Sequence, residues 1–241
     1  MLKKLANEEI NWLLLSEKEN YEKNIKIIAQ KNKIGDGEIT EELKTTTELL
    51  DIGERIENKI IITPELFKNV FLLALTDFES KLVKYWDTPG EFTKIMIGKT
   101  LSDKSMLHLM ADILKLKYYR EYWSLDAVFY EKEDKEHFQL PFLVAEYLPV
   151  VIEHENAISG SCLEMNKLSI FNSPLKVLIT YPETEDKNKY LNWYTEILKK
   201  ADIFDDFSTK RKHLLIFGYK KEEKTFWEFY TYQNKTFSLL E

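Results

Sequence analysis

Between Pro149 and Pro182 the chain reads strand, helix, strand, and no other stretch restricts the fold as much. Val150-Val151-Ile152-Glu153-His154-Glu155 opens on a β-branched apolar run, and Leu175 to Tyr181 is a second run, closed by Pro182. Residues 156–174 between them are too many for a hairpin and enough for a helix. Ser161 opens that helix, Glu164 three residues later completes a capping box, and Asn172-Ser173-Pro174 stops it. Strands joined by a helical crossover run parallel, with a right-handed connection. A sheet built this way is covered by helices on both faces, so the expected fold is α/β with a mixed central sheet flanked by helices.

The flanking sequence separates into two parts. Residues 1–100 read as mainly helical, with Ile10, Leu13, Leu14 and Tyr21, Ile25, Ile28 at helical spacing and a break at Gly35-Asp36-Gly37. Ile60 to Ile62 is a short β-branched run. Thr63-Pro64-Glu65 is a helix start, with Thr as N-cap, Pro in the first turn and an acid beside it. Phe67, Val70, Phe71, Ala74, Phe78 and Leu82 form its apolar stripe, and Thr88-Pro89-Gly90 ends the region. Residues 101–241 form the second part. Ser105 to about Lys117 is helical, Tyr118 to Tyr130 is strand, Glu131 to His137 turns the chain, and Phe142 to Val144 is a short strand. Tyr190, Leu191, Tyr194, Ile197, Leu198 and Ala201 mark another helix, and His213–Tyr219 with Thr225–Tyr232 a terminal hairpin.

The chemistry lies in carboxylates within apolar strands, where Asp and Glu are poor strand formers and are seldom buried unpaired. Alternation puts Glu153 and Glu155 on one face, roughly 6.5–7 Å apart along the backbone, and places the His154 ring opposite. In the earlier strand Asp126 shares a face with Ser124 and Val128, and Leu125, Ala127 and Phe129 point the other way. If the two strands are neighbours, Asp126, Glu153 and Glu155 converge. Such a group repels itself and calls for protons or a cation. Hard oxygen donors with no soft ligand favour Mg²⁺ or Mn²⁺. Cys162 is the single cysteine, which excludes an intramolecular disulfide and a Cys-based zinc site.

The net charge of −7 over 241 residues speaks at first against nucleic acid. It is unevenly spread. Residues 121–186 hold 13 acids against 4 bases, and residues 187–241 hold 11 bases against 8 acids. Much of the acidity therefore sits around the strands that carry the candidate site. Arg55, Arg120 and Arg211 are the only arginines, so base-specific reading of DNA by bidentate Arg contacts has few candidates. The apolar runs Trp12–Leu15 and Val70–Leu75 are too short to span a bilayer, and the N-terminus lacks a secretory apolar core. A soluble cytoplasmic protein without membrane contact is expected. The sequence contains no P-loop, no G-x-G-x-x-G and no G-x-S-x-G motif.

The order helix, Asp strand, Glu-x-Glu strand, helix, strand resembles the PD-(D/E)XK nuclease superfamily. Ser124-Leu125-Asp126-Ala127-Val128 is similar to its Asp strand, and Val151-Ile152-Glu153-His154-Glu155-Asn156 to its (D/E)-x-K strand. The resemblance covers roughly residues 103–181 and implies a restriction-endonuclease-like αβββαβ core. It further implies that Asp126 and Glu153 bind Mg²⁺ or Mn²⁺, aided by the backbone carbonyl of His154. Residue 125 is Leu where the name-giving motif has Pro, and residue 155 is Glu where Lys is usual. Two versions of the superfamily accommodate Glu155. In one the second Glu is a metal ligand or general base. In the other a lysine from the following helix replaces the missing one, and Lys167 is placed for that role.

The implied activity is Mg²⁺-dependent endonucleolytic hydrolysis of DNA, of a restriction or genome-defence kind, with RNA as the other substrate class. Glu79 is the implied extra acid from an N-terminal helix. The helical first part would serve recognition or oligomerisation, and paired strand cleavage implies a homodimer. Lys210-Arg211-Lys212 is the candidate phosphate contact. The alternative is a catalytically inactive nuclease fold that serves as a nucleic-acid- or protein-binding regulatory module.

Overall fold

A computed structural model of the chain describes residues 54–56, 59–101, 103–131, 144–145, 147–183 and 186–241. The spacings read at Ile10 to Ile28, the break at Gly35-Asp36-Gly37, most of the turn at Glu131 to His137, and Phe142 and Leu143 of the short run lie outside these residues. Val144 is not in a strand.

Two short antiparallel strands, β1 (Glu54–Ile56) and β2 (Lys59–Ile61), precede the first described helix. Helix α1 (Pro64–Tyr85) begins as the sequence requires: the Thr63 hydroxyl accepts the Leu66 N–H at 3.2 Å, and Pro64 occupies the first turn, where its missing N–H costs nothing. Thr88-Pro89-Gly90 does end α1. Pro89 also starts a second helix, α2 (Pro89–Met96), for the same reason that Pro64 starts the first. Helix α3 (Met106–Ile113) follows, capped by Ser105 Oγ, which accepts the His108 N–H.

Seven strands then form one mixed sheet in sequence order. They are β3 (Lys117–Tyr122), β4 (Leu125–Tyr130), β5 (Val150–Glu155), β6 (Leu175–Thr180), β7 (Lys212–Lys221), β8 (Lys224–Gln233) and β9 (Thr236–Leu239). The expected single strand over Tyr118–Tyr130 is in fact a hairpin. Trp123 and Ser124 turn the chain, and Trp123 takes a positive φ of 57°. Strands β5, β6 and β7 are mutually parallel. Their crossovers carry α4 (Ser161–Ile170) and α5 (Lys187–Ala201). Right-handed crossovers in one direction put both helices on the same face.

The two faces bury separate cores. On one, Phe67, Phe71 and Ala74 of α1, Phe92 and Met96 of α2 and Leu107 and Met110 of α3 pack on Phe129, Ile152, Val177 and Ile216 of the sheet. Helices from before residue 100 therefore share a core with strands from after it. On the other, Met165 and Leu168 of α4 and Tyr190, Tyr194 and Leu198 of α5 pack on Val128, Val151, Leu178, Leu215 and Tyr230. Leu125 joins this second core rather than pointing oppositely. It is the first residue of its strand, beside the turn, where alternation is not yet established. Sandwiched between helical layers, β6 is buried at every residue. No described helix is long and apolar enough to cross a membrane.

Candidate active site

Strands β4 and β5 pair antiparallel from Phe129↔Val150 to Ala127↔Ile152. One step further, Asp126 and Glu153 would face each other in the ladder. The ladder stops there instead, and Asp126 Oδ2 accepts the His154 N–H at 2.8 Å. A side-chain oxygen has taken the place of a backbone carbonyl. The N–H and C=O of a strand residue point to the same flank, so the His154 carbonyl also faces the Asp126 side.

Across this gap lies α4. The Lys167 ammonium is 2.9 Å from Glu153 Oε1 and donates to the Ser124 carbonyl at 2.8 Å. It also pairs with Glu164, one turn earlier on the helix. Three oxygens therefore surround the ammonium, one by a hydrogen bond and two by ion pairing. The capping box read at Ser161 and Glu164 does not form. Gly160 holds the N-cap position, Ser161 already lies in the first turn, and its hydroxyl meets the Ile158 carbonyl and the Tyr194 hydroxyl. Glu164 is thereby released from the cap and belongs to the site. It was missed because its spacing from Ser161 had a sufficient local explanation. Its i,i+3 relation to Lys167 was the signal pointing elsewhere.

Two carboxyl groups thus pair with one ammonium, and Asp126 lies within reach of its charge. Burial pushes the Glu153 carboxyl up to about 9, helped by its hydrogen bond with Glu164 and the Asp126 charge, with Lys167 pulling the other way. Burial also raises Asp126, opposed by the His154 N–H and by a hydrogen bond with Glu153. Burial and the neighbouring acids thus favour the protonated form of Glu153 near neutral pH. Burial pulls the Lys167 ammonium down, yet its hydrogen bonds to Glu164 and Glu153 outweigh this and leave it raised. Lys167 is a charged donor and not a base.

The remaining predicted residues are spread more widely. Glu155 shares the Glu153 face, but its Oε1 accepts the Ala157 N–H at 2.7 Å. Its other oxygen fills space beside Gly160, where an added Cβ would lie 2.9 Å away. Glu79 is on α1, which covers the opposite face of the sheet from α4, so it does not join the group. The His154 ring is on that opposite face as well. It stacks on Phe92 and meets the Tyr181 hydroxyl at 2.7 Å through Nε2, and burial lowers it to about 4. It is a packed neutral histidine. Arg211 is engaged by Asp206, which accepts from Nε and Nη2, so of the basic triplet Lys210 is the exposed member. Phe229, Tyr230 and Tyr232 of β8 are buried in the cores.

Among the described residues, no three His, Cys, Asp or Glu side chains form a cluster able to hold a metal ion. No protein-family profile and no curated protein matches the chain. The chemistry is therefore argued from the donor set itself. Asp126, Glu153 and the His154 carbonyl are hard oxygen donors on one gap between strands. Two carboxyls that must retain a proton in the absence of a cation suit one divalent ion that keeps several waters. A second ion would need Glu155, and the hydrogen bond to Ala157 N draws that carboxylate elsewhere.

Proposed function

We propose that this chain is a metal-dependent nuclease of the restriction-endonuclease-like kind, hydrolysing phosphodiester bonds of DNA. The observation that carries the reading is the Asp126 carboxylate on the His154 N–H, beside Glu153 at the splayed ends of β4 and β5, with Lys167 of α4 on Glu153. The element order α3, β3, β4, β5, α4, β6 supports it, since an αβββαβ core puts the Asp on its second strand and the Glu on its third. Of the two superfamily versions, the geometry favours the one in which a helix lysine replaces the lysine missing at position 155.

In this reading Asp126, Glu153 and the His154 carbonyl would hold one Mg²⁺ or Mn²⁺. The bound ion would polarise a phosphoryl oxygen and acidify a water. Lys167 is positioned by Ser124 O and Glu164 to offer a proton-bearing ammonium to the phosphorane that forms. Hydrolysis adds water across the P–O bond: a water oxygen bonds to phosphorus, the departing oxygen leaves with the bonding pair, and a proton reaches it. The proton lost by the attacking water passes to solvent.

The test is a cleavage screen with Mg²⁺ and Mn²⁺ on duplex DNA, single-stranded DNA and RNA, with melting temperature followed in parallel. Metal-dependent cleavage and metal-linked stabilisation, both absent in Glu153→Gln, are expected. Native protein that neither cleaves nor gains stability with either ion refutes the reading. One observation favours a second reading, an inactive fold that serves as a binding module. The Lys167 ammonium is already surrounded by three oxygens and can neutralise the acids without a metal. Retained nucleic-acid binding without any metal-linked change in melting temperature would support that alternative.

A further inference from the structure

His154 takes part in the site through its backbone, and its ring lies on the other face of the sheet. The β4–β5 ladder ends at Ala127↔Ile152, and beyond it β5 is paired to β6 alone, through Glu153↔Leu178, His154↔Ile179 and Glu155↔Thr180. On the open flank the Asp126 carboxylate, 2.8 Å from the His154 nitrogen, stands in for the missing strand. A strand end paired on one flank opens more readily than one paired on both. The direction of the His154 N–H and C=O therefore depends on what else holds this residue.

The ring supplies that hold. Its Nε2 meets the Tyr181 hydroxyl at 2.7 Å, and its plane stacks on Phe92 of α2 at 6.0 Å and 17°. Tyr181 is fixed in turn. Its ring lies edge-on to Trp86, Phe92 and Trp227, and it fills the space over Gly218 of β7, where an added Cβ would come within 2.7 Å of it. Two residues beyond His154, the Asn156 amide donates to Thr93 Oγ1 of α2 at 2.7 Å. Helix α2 thus grips the end of β5 at both positions. Histidine is a costly residue to place here: it is buried, and its Nδ1 has no hydrogen-bond partner among the described residues. Leucine or phenylalanine would fill the space without an orphaned polar atom. What the imidazole gains is a directional bond to Tyr181, which fixes the ring's orientation and with it the backbone that carries the ring.

We infer that His154 is a positioning residue of the proposed centre: its ring, held by Tyr181 and Phe92 on the face away from Glu153, sets the strand backbone whose N–H orders Asp126 and whose carbonyl faces the same gap. This inference rests on the nuclease reading above. The line from Tyr181 through His154 to Asp126 joins the aromatic core under α1 and α2 to the acids across the sheet.

The experiment compares wild type with Tyr181→Phe, which removes the hydroxyl and keeps the ring. Tyr118→Phe is the control. It removes another hydroxyl from the same core, bound to the Ile97 carbonyl at 2.6 Å, on a strand that is not paired with β5. In metal-free protein, hydrogen exchange followed by NMR should show the His154 amide exchanging roughly 3- to 10-fold faster in Tyr181→Phe, the contribution of one ordinary hydrogen bond. In calorimetric Mn²⁺ titrations the Kd should rise by about the same factor. In cleavage assays kcat should fall, with KM for DNA nearly constant. Tyr118→Phe should leave the His154 exchange and the Mn²⁺ Kd at wild-type values, even if it lowers the melting temperature as far. Phe92→Leu loosens the ring from its other side and should repeat the effect, and it decides the matter if Tyr181→Phe does not fold. The inference is overturned if the folded variants match Tyr118→Phe in either exchange or Mn²⁺ Kd. Metal-dependent cleavage by wild type would then leave the nuclease reading standing. If wild type binds no Mn²⁺ and cleaves nothing, the nuclease reading falls and this inference with it.

Discussion

Replacing Glu153 by glutamine should change how stability depends on pH more than it changes stability at any one pH. The folded protein holds a proton on Glu153 up to a pH of about 9, whereas the unfolded chain releases it near the ordinary value of 4.5. Between these limits the native state binds the extra proton. The sign follows: the contribution of Glu153 is fully present below about 4.5 and is lost as pH rises towards about 9. The slope for one such proton is about 1.4 kcal/mol per pH unit. Glu153 is essentially excluded from solvent, so screening by water does not reduce this much. Partial relaxation of Asp126, Glu164 and Lys167 does. A loss of about 1–3 kcal/mol between pH 6 and pH 8 is the working value.

Glutamine has no such titration. Its amide can still donate to Asp126, and its carbonyl can still accept from Lys167. Wild type and Glu153→Gln should therefore diverge with rising pH, the variant gaining relative stability by about 1–3 kcal/mol from pH 6 to pH 8. Urea unfolding at half-unit pH steps, with EDTA present, measures the difference. Parallel profiles for the two proteins would show that Glu153 does not carry the proton. Glu153 would then be ionised and stabilised by Lys167 in the folded protein, which would remove the electrostatic case for a cation-seeking site.

Two further substitutions probe charge placement. Lys167→Met leaves Glu153 and Glu164 without their ammonium. Because Lys167 is partly exposed, we expect a loss of about 1–3 kcal/mol near pH 7, below the cost of breaking a fully buried pair, by chemical denaturation. Lys176→Met should have the opposite effect. Lys176 is fully buried, its ammonium lies 4.5 Å over the Phe207 ring without a hydrogen-bond partner among the described residues, and burial followed by the Arg211 charge lowers it to about 7. Its folded value is depressed, so wild type gains stability as pH rises from about 7 towards the ordinary lysine value. Methionine should stabilise by about 1–4 kcal/mol at pH 6–7, with the advantage shrinking above pH 8. A Lys176→Met protein less stable than wild type at pH 6 would mean that the ammonium is paired.

Where the sequence pattern had one physical explanation, the fold was legible. Val150–Glu155 is a strand with the predicted ends, its partner Leu175–Thr180 runs parallel to it, and Thr63-Pro64 starts a helix whose stripe is buried. Two turns without glycine were not legible. Trp123-Ser124 carries no turn signal, so two strands read as one. Asn234 and Lys235 both take positive φ and fold β9 back on β8, but Asn-Lys lacks the glycine that marks such hairpins, and the strand was missed. Local propensity records what a residue prefers. At these turns the pairing of long neighbouring strands outweighed it.

The site divides along the same line. Alternation along β5 was enough to put Glu153 and Glu155 on one face, and Asp126 was brought to them by the strand order. What alternation cannot supply is where a side chain bends at a strand end. Glu155 is the last residue of its strand, so the N–H of Ala157, two residues on, competes for its carboxylate and wins. Glu153 is two residues deeper and has no such local donor. Its partners come from β4 and α4, elements 27 and 14 or fewer residues away in sequence but adjacent in space. The convergence expected of three strand carboxylates is therefore met by Asp126 and Glu153 from the sheet, with Glu164 from the helix and one lysine to bind them. A protonated Glu153 beside a fixed ammonium is an arrangement with no net need for burial, and packing alone would favour hydrophobic residues at these positions. Its cost is what supports the proposal that the group is kept for chemistry.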